Sequence, residues 1–566
     1  MFLLLRMHRV ATKTAYLAPM NDPFLKRYFP WLLLSGIVLN IPGLFLDILE
    51  PDGALYATLA RHIAEHNDWV NLFGDGHDWL DKPHFPFWMA ALSYKILGIN
   101  SFAYKLPAFI FWLISLRYTY LLGRDLYDTD TARMATLIYA VAFHSTLNNF
   151  DVRAEPYLTA CIIASTWHML VVYKKKNNLH IIWAALFAAC AITTKGIFVL
   201  LTIAGGWVIF WILTRQFKEF LNYRWWLMLV LTFLFILPEL YTLYVQFDLH
   251  PEKVVFGKTN VSGLRFFFWD SQFGRFFNTG PIKGRGSITF FLHTTLWAFL
   301  PWSLGLVGGL FYLIRFDKNK QPIRWVIYGS TLLTFLLFSL SKFQLPHYLV
   351  ILFPYFALIT AYFFSQIANR PVLKTLSNIH TVLAIIALAL VGWLQFVMDI
   401  ENGFWVVGAG ALVVIASFFI PYKNQLQQLL FKCYTMAAVL YLYLFVSFYP
   451  FLLTFQSGRQ AARAIPEQDK NLPVAAYGEF SYTFEFYSPS EVRLICDEPT
   501  LQSFISKAPC YLYTTEAVAK SLLQSGLKAN IKAKPKHFHI TRLKYPFLNK
   551  KTRSQTLETR YLLFIN

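Results

Sequence analysis

Three carboxylates lie where a long apolar stretch ends, in the segment LDILEPDGALYATLARHI at residues 46–63. At the edge of a bilayer Asp47, Glu50 and Asp52 would each lose hydration, which disfavours their charged forms. Ionisable residues at membrane depth are therefore usually functional. A carboxylate held there could act as a general base that takes a proton from a hydroxyl group. Asp52 could also cap the helix predicted for ALYATLAR, and the two roles are compatible.

The composition identifies the environment of this segment. Of the 566 residues, 56% are hydrophobic, 18% are aromatic and only 14% are charged, whereas soluble domains carry about 25% charged residues. Apolar runs recur from about residue 30 to residue 455. The sequence therefore predicts a polytopic α-helical membrane protein. The first 29 residues lack the features of a cleavable signal, so we expect the first span to be retained as an anchor.

Thirteen apolar segments approach the length of about 20 residues that a membrane-spanning helix needs. They lie at residues 30–48, 106–123, 131–148, 156–173, 180–194, 197–214, 225–246, 288–314, 325–341, 347–366, 379–398, 404–421 and 434–455. The segment from Pro83 to Gly98 is short and contains prolines, so we interpret it as an interfacial helix.

Lysine and arginine residues predict the orientation, because they accumulate in cytoplasmic loops. With thirteen spans and a cytoplasmic N-terminus, segment 49–82 lies outside and carries seven acidic residues against two basic ones. Counting residues 83–98 as a span would reverse all later loops. In the thirteen-span arrangement every inner segment is basic, through Arg6, Arg9, Lys13, Lys26, Arg27, Arg124, Arg133, Lys174, Lys175, Lys176, Arg215, Lys218, Arg224, Arg315, Arg324, Arg370, Lys374, Lys423 and Lys432.

The apolar density falls after about residue 456, where short β-like runs alternate with amphipathic helical ones. The sequence therefore predicts a membrane domain at residues 1–455, with outer loops 49–105 and 247–287, and a small soluble α/β domain at residues 456–566 on the outer side. Cys496 and Cys510 lie in this second domain and could form a disulfide there.

Two classes of function are disfavoured by what the sequence lacks. The net charge is +20, but the basic residues are spread over short loops and form no stripe that would bind nucleic acid. The sequence contains no glycine-rich nucleotide loop, and no internal repeat is visible. We therefore expect neither a nucleic-acid partner nor ATP-driven transport by this chain alone.

Six polar motifs fall on the outer side in this topology, whereas the inner loops show only basic residues. We expect one site on the outer face, built from EPDGALYATLAR, WLDKPHFPFW (residues 79–88), NNFDVRAEP (148–156), TTKG (193–196), LRFFFWDSQFGRFFNTGPIKGRG (264–286) and LSKFQLPHY (340–348).

Taken in this order, the motifs resemble those of bacterial glycosyltransferases related to the lipid A aminoarabinose transferases, which belong with the protein O-mannosyltransferases to the GT-C superfamily. The resemblance covers residues 30–370. It implies a GT-C fold with about 13 membrane helices, in which residues 1–455 form the catalytic domain. It also implies transfer of a sugar from a polyprenyl-phosphate carrier, such as undecaprenyl phosphate, with inversion and without a nucleotide-sugar donor.

The resemblance further implies a location. We expect a multi-pass protein of the bacterial inner membrane, with the active site and the C-terminal domain in the periplasm. The acceptor could be a lipid, a glycan or a protein of the cell envelope, and lipid A modification is one option. The sequence specifies neither the sugar nor the oligomeric state.

By this resemblance Asp52 matches the catalytic base. Glu155 stands where the family usually has an aspartate before proline, and it could either contact the sugar or pair with Arg153. Glu50 could exchange roles with Asp52, whereas Glu50 and Asp47 could instead tune the local field or simply end the span.

A lipid phosphate that leaves needs cations rather than a general acid. By resemblance Lys82 and Arg275 match contacts to the donor phosphate, and Tyr348 and Lys195 are weaker matches. Lys82 and Lys195 could instead reach toward lipid headgroups, and Arg275 could form a loop ion pair. The other candidates for this site are Asp81, Asp151, Arg153, Asp270 and Gln272.

The sequence departs from the family pattern around a metal site. Asp81 replaces a glutamate, and Gln272 stands where some relatives have a histidine. Asp81 could still hold a divalent metal such as zinc together with His77, His84 or His293.

A second departure is Leu55, which replaces a basic residue common in relatives. The corresponding phosphate contact could be missing, or it could be supplied by Arg61 or Arg265.

A transporter or lipid flippase is the alternative function from another class. Transporters often show repeats and helices broken near the bilayer midplane, whereas the polar motifs here crowd one surface. A noncatalytic assembly or receptor protein would not need Asp52, Lys82 and Arg275 to converge.

Overall fold

The computed structural model describes residues 23–74, 76–317, 321–367, 371–401, 403–422 and 424–566. It consists of a bundle of apolar helices and a C-terminal mixed sheet, which confirms the predicted fold class. Of the basic residues used to predict the orientation, Arg6, Arg9, Lys13, Arg370 and Lys423 lie outside the described residues.

Eight helical segments in the described part of the chain are long and apolar enough to cross a membrane. They are Pro23–Phe45, Ser101–Leu126, Glu155–Lys175, Tyr223–Asp248, Pro322–Leu340, Pro346–Ile367, Pro371–Met398 and Gln425–Leu453. Shorter apolar helices lie at Leu179–Lys195, Val199–Leu213, Ser303–Arg315 and Gly403–Ser417.

Each of the thirteen predicted segments is helical over most of its length, but four are interrupted. The segment 30–48 is interrupted at residues 39–41 and the segment 225–246 at Ile236. The segment 131–148 is divided into helices Thr129–Ala140 and Phe143–Phe150, and the segment 288–314 into helices Phe290–Ala298 and Ser303–Arg315. Pro301 lies in the interruption of segment 288–314, where it lacks an N–H group for a helical hydrogen bond.

The segment before the second predicted span forms a helix at Phe85–Leu97. Its 13 residues extend about 20 Å, which is shorter than the hydrocarbon core of about 30 Å. The predicted helix is therefore present, and its position at the membrane interface stays a prediction.

The helix Asp52–His66 follows the apolar N-terminal helix, a short 3-10 turn at Pro42–Phe45 and a loop at residues 46–51. Its buried face is rich in alanine, which allows close packing against the neighbouring helix Phe85–Leu97. Asn67 ends the helix in the left-handed conformation with φ 57°. This helix places Asp52 at the edge of the bundle.

The C-terminal sheet follows the order Val492–Ile495, Val474–Tyr477, Cys510–Thr515, Glu558–Ile565 and Ala529–Ala533. The first three strands are parallel, and the strand Glu558–Ile565 pairs antiparallel with Cys510–Thr515. A two-residue strand, Lys536–His537, also pairs with Glu558–Ile565. Short helices connecting these elements lie at Ser457–Arg463, Tyr482–Tyr487, Glu498–Ile505, Glu516–Gln524 and Tyr545–Leu548.

The considered disulfide in this region is not formed. Cys496 is an exposed free thiol, and Cys510 is a buried free thiol that begins the central strand Cys510–Thr515. Burial of Cys510 in the sheet core separates it from the surface where Cys496 lies.

Candidate active site

A cavity of about 260 Å³ collects most of the polar residues that the sequence singled out. Its wall is built by segments far apart in the chain. They are the start of the helix Asp52–His66, the loop before Phe85, the start of the helix Glu155–Lys175, the end of the helix Leu179–Lys195, and three later segments at Phe256, 275–282 and 343–348. The candidates that line it are Asp52, Asp81, Lys82, Arg153, Glu155, Lys195, Arg275 and Tyr348.

Asp52 is the first residue of its helix, and Pro51 before it is the cap residue. No side-chain capping hydrogen bond is made there, so the capping role considered for Asp52 is wrong. The carboxylate is 39% exposed, and its Oδ2 accepts a hydrogen bond of 2.6 Å from Nη1 of Arg153. Among the described residues no side chain or backbone group donates to Oδ1 of Asp52, which leaves that oxygen accessible.

Arg153 binds a second carboxylate behind the cavity. Its Nε and Nη2 donate to Oδ2 of Asp151 at 3.2 and 3.0 Å. Burial raises the pKa of Asp151, although Arg153 acts against this effect. Burial lowers the pKa of Arg153, but Asp151 and Asp52 outweigh it and raise that pKa overall, so Arg153 stays charged. Arg153 therefore links a partly buried carboxylate to one that faces the cavity.

Glu155 lies deeper and is only 1% exposed. Its Oε1 is in contact with Nζ of Lys195 and lies 3.7 Å from Nε2 of His347. The ammonium of Lys195 also lies 3.8 Å from the ring centroid of Tyr348. The pairing considered between Glu155 and Arg153 is not formed, because Arg153 is directed to Asp52 and Asp151.

Asp81, Lys82 and Arg275 form a second cluster of charges in the cavity wall. Lys82 Nζ lies 2.5 Å from Oδ2 of Asp81, and Arg275 Nη2 contacts Oδ1. Burial alone would raise the pKa of Asp81, but Lys82 and Arg275 outweigh it and lower that pKa. Burial, together with Arg275, lowers the pKa of Lys82 to about 8, against the opposing effect of Asp81.

The metal site considered around Asp81 does not fit this geometry. Both carboxylate oxygens of Asp81 are already held by cations. His84 is buried between Glu239 and the backbone oxygen of Val70, and His293 is exposed on another helix. Within the described ranges, no three His, Cys, Asp or Glu side chains are grouped so that they could hold a metal ion.

Four candidates lie away from the cavity wall. Glu50 turns to the C-terminal region, where it binds Ser481 and Thr483, so it does not share the position of Asp52. The remaining three are Asp151, which lies behind Arg153, Asp270, which is 3.7 Å from Arg265, and Gln272, whose Nε2 lies 3.4 Å from the backbone oxygen of Lys195.

Leu55 stands where relatives have a basic residue, and two arginines were considered as replacements for its phosphate contact. Neither of them lines the cavity. Arg61 is buried and donates to backbone carbonyls in the C-terminal region, and the side chain of Arg265 is 74% exposed. Leu55 itself lines the cavity, so this part of the wall is apolar.

An apolar groove of about 410 Å³ opens from the polar cavity. Lys195, Arg275, Phe343 and Tyr348 line both, so they mark the junction. Beyond the junction the groove wall is mostly aliphatic and aromatic, with Ile197, Phe198, Leu201, Phe273, Phe276, Phe277, Leu337 and Phe338.

Several residues of the cavity wall were missed by reasoning from the sequence. His347 lies against Glu155, and its place beside Tyr348 in the LPHY motif was the signal that could have identified it. Tyr56, Trp79 and Phe256 contribute aromatic surface. Aromatic residues make up 18% of this chain, so no sequence signal distinguishes them from core residues.

Comparisons with known proteins point to one class. Residues 81–241 match the family model described as dolichyl-phosphate-mannose-protein mannosyltransferase. An uncharacterized protein of Aquifex aeolicus is 26% identical over 482 residues, which cover 83% of this chain and 87% of that protein. The undecaprenyl phosphate-alpha-4-amino-4-deoxy-L-arabinose arabinosyl transferase of Pseudomonas aeruginosa strain PAO1 is 26% identical over 374 residues. That match covers 64% of this chain and 65% of the enzyme, just under two thirds of its length.

The fold is similar to that of ArnT from Cupriavidus metallidurans bound to undecaprenyl phosphate. The TM-score is 0.73 at 15% identity, and the match covers 96% of this chain and 98% of that chain. In sequence over residues 81–241 and in fold over nearly its whole length, the chain is similar to membrane glycosyltransferases of the GT-C superfamily. Within that class it is similar to the aminoarabinose transferases, whose fold it shares over nearly its whole length.

Proposed function

We propose that this glycosyltransferase moves a sugar from a polyprenyl-phosphate carrier to an acceptor hydroxyl at the outer face of a bacterial inner membrane. The observation that carries the proposal is the junction of the polar cavity and the apolar groove at Lys195 and Arg275. A polyprenyl phosphate joins a long hydrocarbon to an anion. Its hydrocarbon would occupy the groove, while its phosphate would meet the cations at the junction.

Lys82, Lys195 and Arg275 bind the donor phosphate in this proposal, and Tyr348 is the fourth contact. The Nε atom of Arg275 is buried and has no hydrogen-bond partner in the described part of the chain. A buried donor without a partner is costly, so a ligand that accepts its hydrogen bond gains affinity. Asp81 and Glu155 hold the cations in place and limit their mutual repulsion before the donor binds.

Asp52 acts as the general base. The acceptor oxygen attacks the anomeric carbon of the donor sugar, the bond from that carbon to the phosphate oxygen breaks, and the acceptor proton passes to Asp52. The polyprenyl phosphate leaves as an anion that Lys82, Lys195 and Arg275 stabilise. A single displacement of this kind inverts the anomeric centre. Arg153 directs the carboxylate of Asp52 toward the cavity.

We also propose the predicted division into a membrane domain at residues 1–455 and a soluble domain at residues 456–566. The hydrogen bonds from Ser481 and Thr483 to Glu50 support a location of the second domain on the same side of the membrane as Asp52. The charge distribution of the loops favours the periplasm for that side.

The test compares envelope glycolipids and glycoproteins by mass spectrometry in cells with and without the chain. The purified protein is then incubated with the matching polyprenyl-phosphate sugar and acceptor. A missing pentose, hexose or amino sugar in the deletion strain would identify the transferred group, and restored transfer in vitro would support the proposal. An unchanged envelope together with no binding of undecaprenyl phosphate would contradict it.

A further inference from the structure

The residues just before Asp52 are bound by side chains from a distant part of the chain. Gln456 accepts a hydrogen bond from the backbone N–H of Glu50 at 2.8 Å and donates to the backbone oxygen of Ile48 at 2.9 Å. Tyr487 accepts from the backbone N–H of Ile48 at 2.9 Å. The backbone of this short loop is therefore hydrogen-bonded to side chains of the C-terminal region.

The acidic side chains of the same loop are bound from the same side. Oε1 of Glu50 accepts hydrogen bonds from the Ser481 hydroxyl at 2.7 Å, from the Thr483 backbone N–H at 2.7 Å and from the Thr483 hydroxyl at 2.8 Å. Arg459 pairs with Asp47 at 2.6 Å. We call Gln456, Arg459, Ser481, Thr483 and Tyr487 the C-terminal clamp.

The helix that begins at Asp52 is held by the same region farther along. Nη1 of Arg61 is 2.8 to 3.0 Å from the backbone carbonyl oxygens of Glu485, Phe486 and Ser488. These carbonyls lie at the end of the helix Tyr482–Tyr487, where intrahelical partners are missing. Asp52 therefore lies between two contacts to the C-terminal region.

We infer that the C-terminal clamp is a positioning device for Asp52, which sets the direction of its carboxylate through Glu50 and the loop backbone. This inference rests on the proposed function of Asp52 as the base. The physical reason is that the loop before Asp52 has no regular secondary structure, so its geometry depends on partners outside it. A displacement of about 1 Å at a catalytic group can lower a rate by about 100-fold.

A glycine packed against the C-terminal clamp allows a second, independent substitution that disturbs it. A Cβ atom added at Gly458 would lie 2.0 Å from Oγ of Ser481 and 2.8 Å from Oγ1 of Thr483. The same Cβ would lie 2.6 Å from the backbone nitrogen of Phe484, so contacts this short force both hydroxyl groups and the backbone beside them to move. The substitution Gly458→Ala would therefore pull both donors away from Glu50 without changing any residue of the loop that leads to Asp52.

The test uses the full-length protein with two independent changes, Gly458→Ala and the double substitution Ser481→Ala with Thr483→Val. Thr483→Ser keeps a hydroxyl for Glu50 and serves as the conservative variant. Glu516→Gln, in an exposed ion pair with Lys520 of the same domain, is the matched control. For each protein we would measure the melting temperature, the Kd for undecaprenyl phosphate and the single-turnover transfer rate.

We expect both clamp variants to transfer about 10- to 100-fold more slowly while their Kd for undecaprenyl phosphate stays within about twofold. A loss of folded protein would instead reduce binding capacity and transfer together. Thr483→Ser and Glu516→Gln should transfer at the wild-type rate. Clamp variants that transfer as fast as wild type, or that lose donor affinity in proportion to rate, would overturn the inference.

A double-mutant cycle with Asp52→Asn tests whether the clamp acts through Asp52. If it does, adding a clamp substitution to Asp52→Asn should cause no further loss, whereas a fully multiplicative loss would overturn the inference. The two ways of failing can be distinguished. If Asp52 is not the general base, the Asp52→Asn variant itself will remain active. Failure of the inference alone leaves Asp52→Asn inactive and the clamp variants active.

Discussion

Nη1 of Arg153 lies 2.6 Å from Oδ2 of Asp52, and Nη2 of the same guanidinium lies 3.0 Å from Oδ2 of Asp151. One planar, permanently charged group therefore fixes two carboxylates. Asp151 lies behind it and is partly buried, whereas Asp52 faces the cavity. The contact leaves Oδ1 of Asp52 without a hydrogen-bond donor among the described residues, so in the proposed mechanism this oxygen is free to take the acceptor proton.

Removing a cation of the phosphate site should weaken donor binding. We expect Lys82→Met and Arg275→Met each to raise the Kd for undecaprenyl phosphate by about 10- to 100-fold, because each removes a hydrogen bond to a charged group. Lys470→Met, in an exposed ion pair with Glu467, is the control. The measurement is a binding titration with the purified protein in detergent. Wild-type affinity in both variants would show that these residues do not bind the phosphate.

Donor use should depend on the protonation of Lys82. Its pKa is lowered to about 8, mainly by burial and also by Arg275, so the ammonium loses its proton as the pH rises through that value. We expect kcat/KM for the donor to fall above about pH 8, since this parameter reports the free enzyme. In Lys82→Arg this fall should disappear, because a guanidinium stays charged there. An unchanged fall in Lys82→Arg would assign it to another group.

The apolar groove should select for long carriers. Leu201→Trp fills part of the groove wall, so we expect it to raise the KM for undecaprenyl-linked donor by about tenfold or more, as expected for overpacking that costs 1–3 kcal/mol. A donor on a prenyl chain too short to reach Leu201 should be affected little. Leu213→Trp, at an exposed position near the end of the same helix, is the control. Equal effects on both donors would exclude the groove as the carrier site.

The orientation can be tested with a natural thiol. Cys496 is exposed, whereas Cys161, Cys433 and Cys510 are buried. A membrane-impermeant maleimide should label Cys496 in intact spheroplasts, because the loop charges predict an outer C-terminal domain. In a Cys496→Ser background, Lys176→Cys should be labelled only after permeabilisation. The reverse pattern would reject the thirteen-span topology.

Much of the site could be predicted from sequence because membrane insertion restricts where polar residues can lie. Lys82, Lys195 and Arg275 belong to motifs assigned to one face by loop charges, and they do line one cavity. Their exact partners could not be predicted, because motif order carries no distances. The members of each ion pair are far apart in the sequence, so nothing indicated that Arg153 would bind Asp52 or that Lys195 would bind Glu155.

The direction of Glu50 and the interruption of one predicted span could not be predicted from the sequence, for physical reasons. Glu50 lies two residues before Asp52, yet it faces Ser481, because the chain turns at Pro51 before the helix begins. The interruption of the predicted span 131–148 falls at Val141 and Ala142, which are apolar and give no break signal. Partners far away in the chain accompany both features: Ser481 binds Glu50, and the backbone N–H after the interruption, that of Phe143, donates to the oxygen of Leu300.

The central claim is that Asp52 is the general base, and Asp52→Asn tests it most directly. Asparagine keeps the shape and can still accept a hydrogen bond from Arg153, so folding and donor binding should persist. We expect the single-turnover transfer rate, measured with saturating donor and acceptor, to fall by about 10² to 10⁴. Transfer within about twofold of wild type, with chemistry shown to be rate-limiting, would contradict this role and make Glu155 the next candidate.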